Sequence, residues 1–356
     1  MEGLRTRVAV LGCGPAGAAA AITMARAGLD VVTIDPNRPG WEPGEGLPAA
    51  ATGALRALGV WPAFQQGGHL RGSGFLSCWG SAEPAFRPAL LDPRGPSWQL
   101  DRAGFTRMLR AAAGEPLSRR LNSVRHDGPP WILRFAGAPE VRAGFVVDAT
   151  GRGSVLARML NVGRRVDSRL VGIVALVADP DPQDAVSVVE AAPHGWWYAS
   201  RVPGDRLVVA LFTDAAIAGR DRLTSAGPWS RLLGTTELTA RRAGWPDHRM
   251  LGSVRTQAAG SSALDRCGGD GWLAVGDAAC AHDPLSSRGL HDALTGGIAA
   301  GEAIVRAAAG DPEAIGRYAA GVAAGYTRYL SELDWYYKQE NRFPRTAFWA
   351  ARQGQA

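Results

Sequence analysis

Residues 8–35 read VAVLGCGPAGAAAAITMARAGLDVVTID, and this stretch carries the strongest signal for the fold. Residues 8–11 predict a short buried strand, residues 18–27 predict an alanine-rich helix, and residues 30–34 predict a second strand. The second strand ends at Asp35, whose carboxylate can accept hydrogen bonds from ribose hydroxyls. Strand, helix and strand in this order form a unit whose two strands run parallel. The sequence therefore predicts an α/β protein built on a Rossmann-type dinucleotide-binding domain.

The turn after the first strand contains the spacing G-x-G-x-x-G, formed by Gly12, Gly14 and Gly17. The first glycine permits the tight turn, the second lets the backbone approach a pyrophosphate, and the third lets the helix pack on the strand. Free N–H groups at the helix start, around Pro15 and Ala16, favour the negative charge of phosphates. NAD, NADP and FAD all use this arrangement, so the turn alone does not choose between them.

The composition indicates an ordinary globular protein, because 46% of the 356 residues are hydrophobic and 20% are charged. The net charge of +6 comes from dispersed arginines, and Lys338 is the only lysine, so we expect no nucleic-acid partner. No apolar run approaches the ~20 residues that span a bilayer, so we expect a cytoplasmic protein without a membrane partner. The cysteines and histidines lack the spacing of metal ligands, and we expect no metal.

Two later strands end in similar motifs. The segment GFVVDATG carries Asp148 and Gly151, and GWLAVGDAA carries Gly276 and Asp277 ahead of a helix near Gly289. Residues 169–214 predict four strands of an antiparallel sheet, with a hairpin turn at residues 203–205. Residues 229–242 predict one helix, and the chain after residue 311 is mostly helical. We therefore predict a nucleotide-binding domain (residues 1–60, 98–168 and 250–312), an inserted substrate domain (61–97 and 169–249) and a C-terminal helical segment (313–356).

These three strand-end motifs, in this order, favour FAD. The chain resembles FAD-dependent monooxygenases and halogenases that have a glutathione-reductase-type flavin domain. The resemblance implies that Asp277 holds the ribityl chain and that the helix from Gly289 points its N-terminus at the pyrimidine edge of the flavin, where reduced flavin is negative. It also implies that Arg102 approaches FAD, while Asp101 caps the helix that follows. The implied FAD-binding residues are Gly12, Gly14, Pro15, Ala16, Gly17, Asp35, Arg102, Asp148, Gly151, Gly276, Asp277, Pro284, Ser287, Gly289 and Leu290.

One branch of that superfamily is more similar still. GEGLPAAATGALRALGV (44–60), GWWYASRVP (195–203) and DPLSSRG (283–289) are similar to segments of the tryptophan halogenases and their relatives. The halogenases relay hypohalous acid through a lysine, but residues 67–80 contain none, and Arg288 replaces the halide-side threonine. GFLSCWG (74–80) and LVVALFTD (207–214) resemble the branch's non-halogenating hydroxylases, some of which act on a tryptophan within a protein.

The resemblance implies an FAD-dependent monooxygenase that uses O2, through a flavin C4a-hydroperoxide, to hydroxylate an electron-rich aromatic of indole or peptidyl tryptophan type. No second G-x-G-x-x-G exists, so NAD(P)H or a separate flavin reductase is the expected electron donor. The expected partners are an aromatic small molecule or peptide, a reductase, and a carrier or substrate protein. Three alternatives stay open: a flavin-dependent dehydrogenase or oxidase of a small-molecule or carrier-bound substrate, a halogenase, and a non-catalytic redox sensor.

Three side chains are candidates for acid–base chemistry. Glu45 lies in a glycine-rich loop, where a buried carboxylate would act as a base or orient substrate, whereas a solvated or capping glutamate would not. His282 and Asp283 follow the Gly276–Asp277 motif within reach of the flavin, and His282 is a proton carrier or a loop-packing residue.

Tryptophans are the candidates for contact with an aromatic substrate. Trp196 and Trp197, together with Trp79, are expected to line the substrate cavity. Neighbours on a strand point to opposite faces, so one of the first two can instead face the core. The C-terminal residues Trp335, Tyr336 and Tyr337 form an aromatic patch that packs on the nucleotide-binding domain or covers the substrate entrance.

Overall fold

The computed structural model describes residues 3–37 and 40–353, which form two large sheets and a set of helices. The first, here the central sheet, has four parallel strands in the order Val31–Ile34, Leu4–Leu11, Ala138–Asp148 and Trp272–Ala274. Antiparallel strands extend it at Leu121–Arg125, Trp131–Phe135 and Gly268–Gly269. Val8 and Val10 are fully buried, as expected of a strand covered on both faces. The predicted α/β class is confirmed.

Two helices pack tightly beside the central sheet. The first helix spans Pro15–Arg26, and the Gly289 helix spans Gly289–Ala308. A Cβ on Gly297 would stand 2.6 Å from the Ala16 carbonyl oxygen, and a Cβ on Gly301 would stand 2.7 Å from the Thr23 Cβ. Only glycine lets the two helices come this close, so the middle of the Gly289 helix packs against the first helix.

The second sheet, here the substrate-side sheet, has seven strands. In order they are Arg255–Ala258, Leu170–Ala178, Arg206–Asp214, Gly195–Val202, Val186–Ala192, Gly74–Cys78 and Ala85–Pro88. The four predicted strands and the hairpin at residues 203–205 are confirmed. Two details differ from the prediction. Val186–Ala192 pairs with Gly74–Cys78 in parallel, and Arg255–Ala258 pairs with Leu170–Ala178 although it falls inside the predicted nucleotide-binding piece 250–312.

Residues 229–242, predicted as one helix, belong to two helices, Ala226–Leu233 and Leu238–Ala243. The buried carboxylate of Glu190 accepts hydrogen bonds from the backbone N–H groups of Glu237 and Thr239, each at 2.8 Å. These N–H groups therefore have a side-chain partner from another strand, and the second helix starts there. The local sequence of residues 229–242 does not predict this contact, because Glu190 lies far away in the chain.

The remaining elements connect the two sheets. Three-stranded sheets join Gly46–Leu47, Trp98–Gln99 and Leu70–Arg71, and also Arg164–Val166, Ser262–Leu264 and Cys280–Ala281. Further helices are Thr52–Ala57, Trp61–Gln65, Arg102–Ala113, Val155–Met159 and Ala215–Arg220. Within residues 3–37 and 40–353, no helix combines the length and apolar character that a bilayer crossing requires.

The chain after residue 311 is mostly helical, as predicted. The C-terminal helix spans Ala314–Gln339, and a short helix follows at Ala347–Ala350. Tyr337 is buried, while Trp335 and Tyr336 are 58% and 49% exposed. The predicted aromatic patch is therefore divided, because consecutive residues on a helix cannot all face the core.

Candidate functional site

The four parallel strands of the central sheet end at one edge, and predicted site residues follow each of them. Asp35 follows Val31–Ile34, the glycine turn (residues 12–17) follows Leu4–Leu11, Asp148 ends Ala138–Asp148, and Gly276 and Asp277 follow Trp272–Ala274. Ligands of open α/β sheets bind at the carboxyl ends of the strands. The predicted residues are thus gathered from four distant parts of the sequence.

The glycine turn has three different steric environments. Gly12 has a φ of +95°, and a Cβ there would stand 2.3 Å from the Ala149 carbonyl oxygen. A Cβ on Gly17 would stand 2.1 Å from the Gly12 carbonyl oxygen, whereas a Cβ on Gly14 would meet no atom within 4 Å. The first and last glycines therefore serve the protein's own packing, and Gly14 faces open space at the start of the first helix.

Asp35 fixes the turn from the neighbouring strand. Its carboxylate accepts a hydrogen bond from the Cys13 backbone N–H at 2.8 Å and lies 3.3 Å from the Arg110 guanidinium. Arg110 also donates to the Cys13 carbonyl oxygen at 3.2 Å. The Cys13 thiol is buried, which raises its pKa to about 11 and keeps it neutral. Arg110 was absent from the predicted site.

Arg110 could have been found from its helix, Arg102–Ala113. Arg102, Thr106 and Arg110 are spaced four residues apart, so they share one helix face. The Arg102 guanidinium donates to the Thr106 hydroxyl at 2.7 Å, and the predicted helix cap is confirmed, since Asp101 accepts from the Gly104 N–H at 3.1 Å.

Glu45 does not have the buried environment that a base in this loop would need. Its side chain is 47% exposed and forms an ion pair with Arg102. The Glu45 backbone is held by the Leu100 N–H, which donates to the Glu45 carbonyl oxygen at 3.0 Å. The Glu45 carboxylate lies at the surface. The arrangement suits a residue that orients Arg102.

Asp148 is likewise placed differently from the prediction. It is fully buried, and its carboxylate accepts from the Thr150 N–H and hydroxyl and from the Ala157 N–H at 2.6–3.1 Å. Its oxygens are therefore occupied by its own loop, and it shapes the turn instead of facing a ligand. Gly151, with a φ of +64° and open space at its Cβ position, lies at the surface of that turn.

Asp277 lies beside two arginines that the prediction did not include. Arg152 lies 3.5 Å from its carboxylate and also donates to the His282 carbonyl oxygen at 3.2 Å. Arg164 donates to the Asp277 carbonyl oxygen at 2.7 Å. A cleft of about 180 Å³ brings together Gly276, Asp277, His282 and Gly289. The imidazole of His282 borders this cleft, and burial lowers its pKa below the ordinary 6.5, so it is neutral at pH 7.

The Asp283 turn (residues 283–287) precedes the Gly289 helix. Asp283 is 2% exposed, and its carboxylate accepts from the Leu285 N–H at 2.9 Å and from the Tyr337 hydroxyl at 2.8 Å. Burial raises the pKa of Asp283 to about 6. Pro284 begins a single helical turn, and Ser287 has a φ of +51°, which redirects the chain into the Gly289 helix. Leu290 is buried in the apolar core.

Trp196 and Trp197 lie on opposite faces of the substrate-side sheet. Trp197 is fully buried against Trp229 of helix Ala226–Leu233, with ring centroids 5.4 Å apart. The prediction that Trp197 contacts substrate is therefore wrong, because the helices cover that face. Trp196 lies on the other face, together with Val202. The Val202 side chain would stand 2.5 Å from a Cβ on Gly44, in the glycine-rich loop that carries Glu45, so this face packs against that loop.

Trp196 belongs to an aromatic cluster, defined as Trp79, Trp196, Phe212, Tyr337 and Trp349. Trp196 stacks on Phe212 at 4.1 Å, and its indole N–H donates to the Tyr337 hydroxyl at 3.1 Å. Trp79 contacts Trp196 and Trp349 edge-on, at 6.4 and 5.4 Å. Trp196 is only 2% exposed, whereas Trp79 is partly exposed and opens the cluster to the surface.

The residues at the strand edge fit a dinucleotide cofactor. Gly14, Gly151 and Gly289 have open space where a Cβ would stand, so a ligand can approach their backbone. The start of the 20-residue Gly289 helix supplies free N–H groups and partial positive charge. Asp35 and Arg110 hold the turn at this edge: Asp35 accepts from the Cys13 and Asn37 backbone N–H groups at 2.8 Å each, and Arg110 donates to the Asn37 side-chain oxygen at 2.6 Å.

No protein-family model matches the chain, but individual proteins do. It is 30% identical over 294 residues to LodB of Marinomonas mediterranea, a protein named as an FAD-dependent oxidoreductase. The aligned region covers 78% of this chain and 77% of LodB. It is 30% identical over 321 residues to the menaquinone reductase of Mycobacterium tuberculosis, covering 82% of this chain and 75% of that protein. It is 26% identical to a 1H-pyrrole-2-carbonyl-[peptidyl-carrier protein] brominase of Pseudoalteromonas luteoviolacea, covering 85% of this chain and 78% of the brominase.

Solved structures agree with these relatives. The flavin-dependent halogenase CmlS superposes with a TM-score of 0.87 at 23% identity, over 98% of this chain and 68% of CmlS, and it supports the fold. The peptidyl tryptophan dihydroxylase QhpG, essential for tryptophylquinone cofactor biogenesis, superposes with a TM-score of 0.77 at 26% identity, over 98% of this chain and 79% of QhpG. The predicted enzyme class is confirmed: the chain belongs to the FAD-dependent oxidoreductases, and its fold is that of the flavin-dependent halogenase CmlS.

Proposed function

We propose that this chain is an FAD-dependent monooxygenase that hydroxylates an electron-rich aromatic ring, of the indole or peptidyl tryptophan type. The observation that carries the proposal is the position of the only lysine. Lys338 is 55% exposed on the C-terminal helix, where its ammonium group pairs with Asp334 at 2.7 Å. It lies outside both the aromatic cluster and the cleft at Asp277, so the chain has no lysine to relay a halogen to a substrate.

The second support is Arg288, which stands where the halogenase-like segment has a threonine. Its guanidinium pairs with Asp292 at 3.2 Å and with Glu332 at 2.8 Å. Arg288 therefore ties the start of the Gly289 helix to the C-terminal helix, and its charge is neutralised by two carboxylates. A small hydroxyl that could contact a halide is replaced by a fixed ion pair.

In the proposed reaction, the chain's own residues bind, orient and exchange protons. FAD, once reduced by its electron donor, would supply the two electrons that let one oxygen atom of O2 enter the ring while the other leaves as water. Asp35, Arg110 and the glycine turn would hold the dinucleotide, and the start of the Gly289 helix would stabilise negative charge on the flavin. His282, neutral at pH 7, accepts the proton released from the ring carbon. The aromatic cluster excludes water on the substrate side.

The electron donor and the physical form of the substrate are further parts of the proposal. The relatives' names include a carrier-bound pyrrole and a peptidyl tryptophan as substrates of those proteins. A tryptophan held within a peptide, protein or carrier-bound intermediate is therefore the substrate form to test first. NAD(P)H or a separate reductase supplies the electrons, because only one G-x-G-x-x-G is present.

A second candidate function is a flavin-dependent dehydrogenase, favoured by the 30% identity to menaquinone reductase. In that reaction hydride passes between the substrate and flavin, and no oxygen atom is transferred. The two candidates, and halogenation, differ in the mass of the product.

The test uses FAD-loaded protein, a chemical or enzymatic flavin reductant, ¹⁸O₂ and a tryptophan-containing peptide, with and without bromide. The proposed function predicts a product that carries one ¹⁸O atom for each hydroxylation and no bromine. A brominated peptide would replace the proposal with halogenation. Flavin reoxidation by a quinone, with no oxygen incorporated into any aromatic probe, would favour the dehydrogenase. Lys338→Met is the matched control, since the proposal expects the same product from this variant.

A further inference from the structure

A chain of three buried groups connects the substrate-side sheet to the Asp283 turn. The Trp196 indole N–H donates to the Tyr337 hydroxyl oxygen at 3.1 Å, and the Tyr337 hydroxyl donates to Asp283 Oδ2 at 2.8 Å. The three residues are at most 4% exposed and come from a strand, the C-terminal helix and the turn before the Gly289 helix. We propose that Tyr337 is a positioning residue that couples the aromatic cluster to the cofactor side of the protein through Asp283.

The direction of the chain follows from the chemistry of the groups. An indole N–H can only donate, so the Tyr337 oxygen must accept from Trp196. Tyr337 has a single proton, and the geometry leaves it for Asp283 Oδ2. Asp283 Oδ1 accepts from the Leu285 N–H, so both carboxylate oxygens have donors. A phenylalanine at position 337 would leave one buried donor and one buried acceptor without partners.

The same helix holds the turn at a second point. The Tyr329 hydroxyl accepts the Asp283 backbone N–H at 2.6 Å and lies 2.6 Å from the Ser261 hydroxyl. Tyr329 and Tyr337 are eight residues apart, about two helical turns, so they share one face of the C-terminal helix. Tyr329 thus holds the backbone of Asp283, and Tyr337 holds its carboxylate.

Through Asp283, Tyr337 acts on the segment that starts the Gly289 helix. The Ser286 hydroxyl donates to the Asp283 carbonyl oxygen at 2.8 Å, and the Leu285 N–H donates to the Asp283 carboxylate. Ser287 follows in the left-handed region, immediately before the helix whose N-terminus is expected at the flavin. A shift of the carboxylate therefore moves the turn and the helix start together, and a change at Trp196 reaches them by way of Tyr337.

Tyr337 positions and does not transfer protons. Burial raises its pKa well above the usual value, so the hydroxyl keeps its proton at neutral pH. Arg352, whose guanidinium lies 5.0 Å from the Tyr337 ring centroid, is paired with Asp214 and packs over the ring. The inference rests on the proposed function only for the idea that Trp196 lies beside the substrate; the link to FAD does not depend on any substrate.

The test measures FAD dissociation constants and flavin visible spectra of substrate-free protein for Trp196→Phe, Tyr337→Phe and the double variant. We expect FAD affinity to fall about three- to tenfold in Tyr337→Phe, as for one lost buried hydrogen bond, and about threefold in Trp196→Phe. The double variant is expected to be no weaker than Tyr337→Phe, because both residues act along one chain.

Two matched controls separate coupling from loss of packing. Tyr336→Phe makes the same chemical change on an exposed neighbour and is expected to bind FAD like the wild type. Phe212→Leu removes the ring stacked on Trp196 but no hydrogen bond, and is expected to weaken FAD binding less than Trp196→Phe does.

Several outcomes would overturn the coupling. Trp196→Phe could bind FAD as tightly as the wild type, the two single effects could multiply in the double variant, or Phe212→Leu could weaken FAD as much as Trp196→Phe. If Tyr337→Phe does not fold, Asp283→Asn replaces it in the cycle. Because no substrate is present, failure here leaves the oxygen-transfer test of the proposed function unaffected, and the reverse also holds.

Discussion

The glycine turn and the aromatic cluster represent two ways of building a functional site. The turn comes from six consecutive residues, and its geometry follows from where a side chain has room: Gly12 and Gly17 have none, and Gly14 has space. The aromatic cluster comes from five separate segments, and the ring centroids of Trp79 and Trp349 are 5.4 Å apart although the two residues lie near opposite ends of the chain. A local site can be identified from spacing, whereas a dispersed one depends on how the sheet and the C-terminal helix meet.

The difference also appears in what each region tolerates. At Gly12 and Gly17, an added Cβ meets backbone oxygens at 2.3 and 2.1 Å, and that backbone cannot move without disturbing the central sheet. In the aromatic cluster, the rings pack against one another, and replacing one ring by a smaller side chain removes only part of the packing. The two regions should therefore respond differently to substitution.

The largest effect is expected for Gly17→Ala. Its Cβ would stand 2.1 Å from the Gly12 carbonyl oxygen, so the first helix must separate from the turn. We expect the free energy of unfolding to fall by about 3 kcal/mol or more, measured by chemical denaturation of FAD-free protein.

Gly14→Ala is the matched control for that variant. Its Cβ meets no protein atom within 4 Å, so stability should be nearly unchanged while FAD affinity falls, because the methyl group occupies the approach to the phosphates. Equal loss of stability in both variants would contradict the division of roles within the turn.

The second prediction concerns the pH dependence of stability at Asp283. Its pKa in the folded protein, about 6, lies above the ordinary 3.8, because burial outweighs the Tyr337 hydroxyl, the Leu285 N–H, Arg352 and Arg152. The stabilising contribution of the protonated form is complete below pH ~4 and is lost as the pH rises through ~6, which amounts to at most about 3 kcal/mol.

Asp283→Asn should flatten this dependence between pH 4 and pH 6, as measured by urea titrations at several pH values. Asp334→Asn, at an exposed carboxylate of the C-terminal helix, serves as the control and should keep the wild-type curve. An unchanged curve for Asp283→Asn would mean that other groups titrate in this range.

The smallest effect is expected for the neighbouring tryptophans. Trp197→Phe should lower the free energy of unfolding by about 1–2 kcal/mol and leave KM for an aromatic substrate unchanged, because Trp197 packs only against the helices on its face. Trp196→Phe should instead raise KM about threefold, as for the loss of one hydrogen bond that positions the ring. The free energy of unfolding is measured by chemical denaturation and KM by steady-state kinetics. Equal changes of both quantities in the two variants would contradict the distinction between the two faces.

The sequence predicts the cofactor side well because its signals are local. Glycine spacing, an acidic residue at a strand end and a motif after each strand all describe short segments, and the parallel sheet then brings their ends to one edge. Arg110 was missed although it shares a helix face with Arg102 and Thr106. The four-residue spacing predicts that Arg110 shares a face with Arg102 and Thr106. The spacing does not predict that this face meets the glycine turn, because that depends on how the helix packs.

The errors at Glu45, Asp148 and Trp197 share a physical cause. The exposure of Glu45, the hydrogen bonds of Asp148 and the face of Trp197 all depend on which elements cover them. Alternation along a strand predicts that Trp196 and Trp197 point apart, but it does not say which one faces the cofactor domain. The break between the helices at Leu233 and Leu238 has the same origin, in the carboxylate of Glu190 from another strand.

The α/β class, the dinucleotide turn and the order of the strand-end motifs could be predicted from the amino-acid sequence alone. These depend on steric and hydrogen-bonding rules that act over a few residues. Tertiary packing sets which acids are buried, which tryptophan faces the cofactor domain, and the hydrogen-bonded chain of Trp196, Tyr337 and Asp283. Burial and long-range hydrogen bonds are properties of elements that meet in space, and these elements are far apart in the chain.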